Sequence, residues 1–126
     1  MNFSNINFSD IKFSDIKISD FSYAKARAAL EPLRQLNNEE YNWFRHKIIT
    51  IEYANWRRFA DATDAVAKRN LLIYHLRNSE ENELLLIEEI NEVIAREQRK
   101  LARAQRKLAR EQREAAKNNN KEAANV

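Results

Sequence analysis

The chain has 126 residues, a formal net charge of +3 and charged side chains at a third of its positions, a composition typical of one small helical domain. It contains no glycine, which excludes glycine-rich phosphate loops, and no cysteine, which excludes disulfides and thiolate chemistry. There is neither an apolar run long enough to span a membrane nor a secretory signal pattern. We therefore expect a cytoplasmic or virion-associated protein that a signal peptide does not secrete.

Five-residue repeats open the chain, between residues 2 and 23. One apolar column contains Ile6, Ile11, Ile16 and Phe21. A second column, two residues further on in each repeat, contains Phe8, Phe13, Ile18 and Tyr23. A period of five fits neither a helix nor a strand, because each column would spread over opposite faces of either element. The pattern therefore predicts a segment that changes direction every five residues.

The triplets within these repeats resemble those of the pentapeptide-repeat family. They are Ser-Asn-Ile at 4–6, Ser-Asp-Ile at 9–11 and 14–16, and Ser-Asp-Phe at 19–21. The resemblance implies a β-helix-like arm over residues 1–21, with the first apolar column as its core. It covers about 20 of the 126 residues, which in that family is one turn of the coil. One turn cannot bury its own core, so we expect the arm to dock on another surface through the second column. An irregular extended arm is the alternative.

A helical core is predicted between residues 22 and 77. The alanine-rich stretch after Ser22 indicates a helix over about 22–36, which Pro32 ends or kinks. Asn37 stands three residues before Glu40, as in a capping box, and marks the start of a long helix over about 38–77. Apolar residues at three- and four-residue spacing along this helix predict a broad buried face.

A last helix is predicted over residues 79–117, after a break at Asn78 and Ser79. Its heptads place Ile87, Ile94, Leu101 and Leu108 in one seam, which indicates a coiled-coil-like helix. Residues 118–126 form a polar tail. The fold class expected from the whole chain is mainly α, with long antiparallel helices and the short N-terminal repeat arm.

The last helix switches charge abruptly along its length. Residues 78–95 contain six acids and no base, whereas residues 96–117 contain nine bases and three acids. Basic side chains around most of this helix are candidate phosphate contacts: Arg96, Arg99, Lys100, Arg103, Arg106, Lys107, Arg110 and Arg113. Two further interpretations are that acidic and basic halves pair between neighbouring copies, and that the helix is simply a solvated one.

The sequence shows no spacing of side chains that is typical of a catalytic or metal site, and we predict no catalytic residue, no metal and no cofactor. His46 and His75 are the only histidines, and Asp61 and Asp64 are better explained as a solvated face than as metal ligands.

The sequence predicts a non-catalytic assembly protein that docks through its arm and self-associates or binds a protein partner through its helices, as an accessory part of a virion or other large complex. A nucleic-acid-binding protein that uses residues 96–117 is one alternative. A small inhibitor of a host complex, encoded by a mobile element, is another. No membrane or small-molecule partner is expected.

Overall fold

The computed structural model describes residues 12–124, which form α-helices and two short 3-10 helices and contain no strand. The α-helices are α1 (Ala24–Leu30), α2 (Leu33–Leu36), α3 (Asn38–Asp61) and α4 (Ala65–Ala124). None of the helices in this range is long and apolar enough to cross a membrane. The described part of the chain is therefore mainly α, as expected.

The β-helix interpretation of the arm is wrong for the residues that the structure describes. Two repeats form 3-10 helices, Phe13–Asp15 and Ile18–Phe21, and extended residues join them. The backbone N–H of Lys17 donates to the Asp20 carboxylate at 2.7 Å, and such Asp–backbone bonds favour turns over strands. In these two repeats, the period of five is thus one 3-10 turn plus an extended link. Ile6, Phe8 and Ile11 lie outside the described residues.

The two 3-10 helices pack onto the hairpin formed by α3 and α4. Ile16 and Phe21 are buried in a small core with Phe59 of α3 and Leu72 of α4. The Phe21 ring lies 5.7 Å from that of Phe59, measured between centroids. This part of the arm therefore contributes to the core of its own chain.

Helices α1 and α2 replace the single helix expected over about 22–36. Helix α1 ends at Leu30, and Pro32 immediately precedes the first residue of α2. Proline has no N–H to donate and is well tolerated where a helix starts, so it separates the two short helices.

Helices α3 and α4 form an antiparallel hairpin. Lys47 pairs with Glu89 at 3.2 Å and Glu40 with Arg96 at 3.1 Å, so the start of α3 lies beside the middle of α4. The helix expected over 38–77 instead ends at Asp61. Ala62 is extended there, and the carboxylate of Asp64 accepts the N–H of Ala67 at 2.8 Å.

Helix α4 runs without interruption through Asn78 and Ser79, where we expected a break. The side chain of Asn78 donates to the carbonyl of Tyr74 at 2.7 Å, a bond within the helix rather than a cap at its start. The helix expected over 79–117 is therefore the continuation of one 60-residue helix.

The main core lies where α1, α2 and α3 cover one face of α4. Its buried members are Tyr23, Ala26, Leu30, Leu33, Tyr41, Phe44, Ile48, Leu86, Ile90 and Ile94. All its residues from α4 precede Glu97. The second half of α4 therefore lies beyond the core.

Candidate interaction surface on helix α4

The second half of α4 extends away from the rest of the described chain. Every residue from 98 to 121 is exposed. Because α3 is antiparallel to α4 and begins at Asn38, it covers α4 only as far as Arg96 and Glu97. At a rise of about 1.5 Å per residue, residues 98–121 reach roughly 36 Å beyond that point. We call this segment the extension.

Glu97 fixes the base of the extension. It is buried, and its carboxylate pairs with Arg96 at 3.3 Å and with Lys100 at 3.4 Å. Desolvation acts to raise the pKa of Glu97, but hydrogen bonds from Lys100, Asn37 and Arg96 together outweigh it and hold the pKa below its ordinary value. The carboxylate therefore links the start of α3 to the point where α4 leaves the core.

The heptad seam is divided between the core and the extension. Ile94 is buried and Ile87 is partly buried against the main core. Leu101 and Leu108 are 48% and 54% exposed, and no helix of the described chain covers them. The seam thus continues the apolar stripe of α4 past the last residue that the core covers.

The basic side chains occupy one side of the extension rather than most of its circumference. At about 100° per residue, Arg99, Arg103, Arg106 and Arg110 fall within roughly 60° of one another. The opposite side carries the seam together with alanine and glutamine. Arg96 and Lys100 form ion pairs at the base, whereas the other candidate phosphate contacts, Lys107 and Arg113 included, point to solvent.

The acidic side chains of α4 fall into two groups, those bound within the fold and those exposed to solvent. Glu83 accepts the backbone N–H groups of Lys25 and Ala26, at 3.1 and 3.2 Å, and so caps α1. Glu89 pairs with Lys47. Three further acids are exposed on the side of α4 away from the core and form no ion pair with any described residue: Glu81, Glu88 and Glu92.

A buried carboxylate that sequence reasoning missed lies on α3. Glu52 accepts the backbone N–H of Tyr23 at 2.6 Å and two bonds from the guanidinium of Arg27, one of them at 3.1 Å. The hydrogen bond with Glu52 raises the pKa of Arg27. The only sequence signal was an acid within the apolar periodicity of α3, and these bonds show that its role is to position α1.

The predicted docking face of the arm is distributed over different environments. Tyr23 is 3% exposed and belongs to the main core, and Phe13 packs edge-on against Phe59 at 6.0 Å between centroids. Ile18 is half exposed. In the described segment, the apolar side chain of this column that faces outward is therefore that of Ile18.

Comparison of the chain with models of known families, with curated proteins and with solved structures finds no match. The pentapeptide-repeat family is therefore not supported by the sequence comparison either. Within residues 12–124, no group of three histidine or acidic side chains is placed to hold a metal ion.

Proposed function

We propose that this chain is a non-catalytic assembly protein and that α4 is its contact element. The observation that carries the proposal is the extension, a continuous helix whose side chains are exposed on every side. An isolated helix gains little stability from its own backbone, and helices of this kind are generally stabilised by packing against a partner. A contact along α4 would supply that packing.

The first partner that we propose is a second copy of the chain. The two halves of α4 carry opposite charge, so one copy offers both surfaces that such a contact needs. The arm has a smaller share in this proposal, because Ile16, Phe21 and Tyr23 are engaged within their own chain.

Sedimentation equilibrium of the purified chain tests self-association directly. We expect the average mass to rise with concentration at low salt. A variant that ends at Glu97 should retain the circular dichroism of the core helices and sediment as a monomer. A full-length chain that stays monomeric at every concentration and salt would contradict the proposal.

Nucleic-acid binding is the second candidate, and one observation favours it. Residues 99–110 contain six bases and no acid, and these bases lie on one side of an exposed helix. Such a stripe can follow a phosphate backbone without reading bases. The test is a gel shift with a duplex of arbitrary sequence. Retardation that weakens steeply with salt would support this function, and its absence at low salt would exclude it.

A further inference from the structure

The side of α4 that faces away from the core carries an ordered array of charge, which we call the outer face. Its members are all exposed: Glu81, Leu85, Glu88, Glu92, Arg99, Arg103, Arg106 and Arg110. At about 100° per residue these side chains cluster roughly opposite Ile90, which is fully buried in the core. No helix among the described residues 12–124 therefore covers the outer face along either half of α4.

The charges on the outer face are arranged symmetrically about the bond between Ala95 and Arg96. For each acid on one side of that point there is a base at the same distance on the other. The matched residues are Glu92 with Arg99, Glu88 with Arg103, and Glu81 with Arg110. A further exposed match joins Arg77 with Glu114 and has reversed signs, whereas the equidistant acids Glu80 and Glu111 lie off the outer face.

We propose that a second copy of this chain docks antiparallel along the outer face, with a twofold axis beside Ala95 and Arg96. This inference rests on the proposed self-association and specifies its surface. The axis places each matched acid opposite the matched base of the other copy, and the symmetry makes every pair twice. Leu85 then faces Arg106, whose aliphatic stem can cover it.

A parallel arrangement of two copies loses this complementarity, and a shifted antiparallel one adds a repulsive contact on the axis. A parallel pair in register places acids against acids and bases against bases. An antiparallel pair shifted by one heptad keeps acid–base pairs, such as Glu88 with Arg110 in one direction or Glu81 with Arg103 in the other. It also brings either Arg99 or Glu92 against its own copy on the axis. Like charges that face each other disfavour such contacts.

The seam side of the extension is a poorer surface for a whole second copy. It lies on the same side of α4 as the core, because Ile94 of the same column is buried there. A long helix placed on Leu101 and Leu108 would run into α3 and α2 at the base of the extension. Within the described part of the chain, no helix stands in the way on the outer face.

The strength of the contact follows from its exposure. Exposed ion pairs contribute little individually and are screened by salt. The dimer is therefore reversible, and its association weakens as the ionic strength rises.

A charge-swap cycle tests the register. Glu88→Arg and Arg103→Glu should each weaken dimerisation at low salt, by roughly tenfold, because each replaces two attractive pairs with two repulsive ones. The double variant Glu88→Arg/Arg103→Glu has the wild-type net charge and restores the pairs with reversed signs. We expect sedimentation equilibrium to show dimerisation close to that of the wild type.

The matched control is the double variant Glu88→Arg/Arg110→Glu, which keeps Arg103. It has the same net charge, but the two residues that it swaps do not face each other in the proposed register. It should dimerise more weakly than the Glu88→Arg single variant, because it also replaces the attraction between Glu81 and Arg110 with repulsion, and its circular dichroism should be unchanged. Equal recovery in both double variants, or singles that dimerise like the wild type, would overturn the register and leave self-association standing. A wild-type chain that never dimerises would overturn both proposals.

Discussion

At the scale of single residues, the buried carboxylate of Glu52 has the clearest structural role. It satisfies the backbone N–H of Tyr23 and pairs with Arg27, so it fixes the start of α1 against α3. Glu52→Ala should lower the free energy of unfolding by about 2 to 3 kcal/mol, because it leaves a buried N–H without an acceptor and a guanidinium without its partner. The side chain of Arg27 is about half exposed, which limits the loss.

Urea unfolding followed by circular dichroism measures this effect. The matched control is Glu31→Ala, which removes an exposed ion pair with Arg34 and should change stability by less than about 0.5 kcal/mol. Equal losses in the two variants would contradict the role of Glu52.

His75 makes the stability of the chain depend on pH. Burial lowers the pKa of His75 below its ordinary value of 6.5, and its ring lies 4.6 Å from that of Phe21. The unfolded chain then binds a proton at a higher pH than the folded one. Protonation of His75 therefore favours the unfolded chain. Its effect on the free energy of unfolding is absent well above about pH 6.5 and lowers that free energy as the pH falls below this value.

Replacement of His75 by leucine should remove this part of the pH dependence. Urea midpoints measured between pH 7.5 and 5.5 should fall more in the wild type than in His75→Leu. His46→Leu, at an exposed histidine, should follow the wild type. A His75→Leu profile parallel to that of the wild type would show that burial of this imidazole does not control the dependence.

At the scale of elements, the arm is the segment whose observed structure differs most from the one predicted from the sequence. The sequence columns assigned Ile16 and Phe21 to a core but assigned Phe13 and Tyr23 to an outward face, and the structure packs both of the latter inside. A five-residue period alone does not show which elements the apolar side chains contact. Because Ile16 and Phe21 fill a core with Phe59 and Leu72, loss of residues 1–21 should destabilise the helices rather than leave them intact.

A pair of substitutions within one 3-10 helix tests this role of the arm. Phe21→Ala should cost about 3 kcal/mol or more, because it empties a buried aromatic site. Ile18→Ala, three residues earlier and half exposed, should cost less than about 1 kcal/mol. Thermal and urea unfolding of the two variants provide the comparison, and similar losses would place the arm outside the core.

Helix ends differed in how far the sequence could predict them. The start of α3 was predictable, because Asn37 accepts the N–H of Glu40 as a capping residue should. The turn at residues 62–64 contains neither glycine nor proline, so the local sequence did not predict it. Conversely, Asn78 and Ser79 have the chemistry of a cap, but packing of Leu72 and Leu86 on one continuous face keeps α4 helical between them.

At the scale of the whole molecule, the sequence showed the charge switch along α4 but not which of the acids are bound within the fold and which are exposed. Glu83 and Glu89 are bound within the fold, whereas Glu81, Glu88 and Glu92 are exposed on the side away from the core. Only the positions of α1 and α3 around α4 distinguish the two groups. The same packing shows that the seam divides between the core and the extension.

The most direct test of the account is the distance between equivalent positions in two associated copies. The chain has no cysteine, so Gln112→Cys, at an exposed site away from the outer face, introduces one label for pulsed electron paramagnetic resonance. An antiparallel pair centred beside Ala95 and Arg96 predicts a separation of about 50 to 60 Å, from the helical rise and the width of two helices. A separation of about 25 Å, as a parallel pair would give, or the absence of any dipolar signal at low salt, would contradict the account.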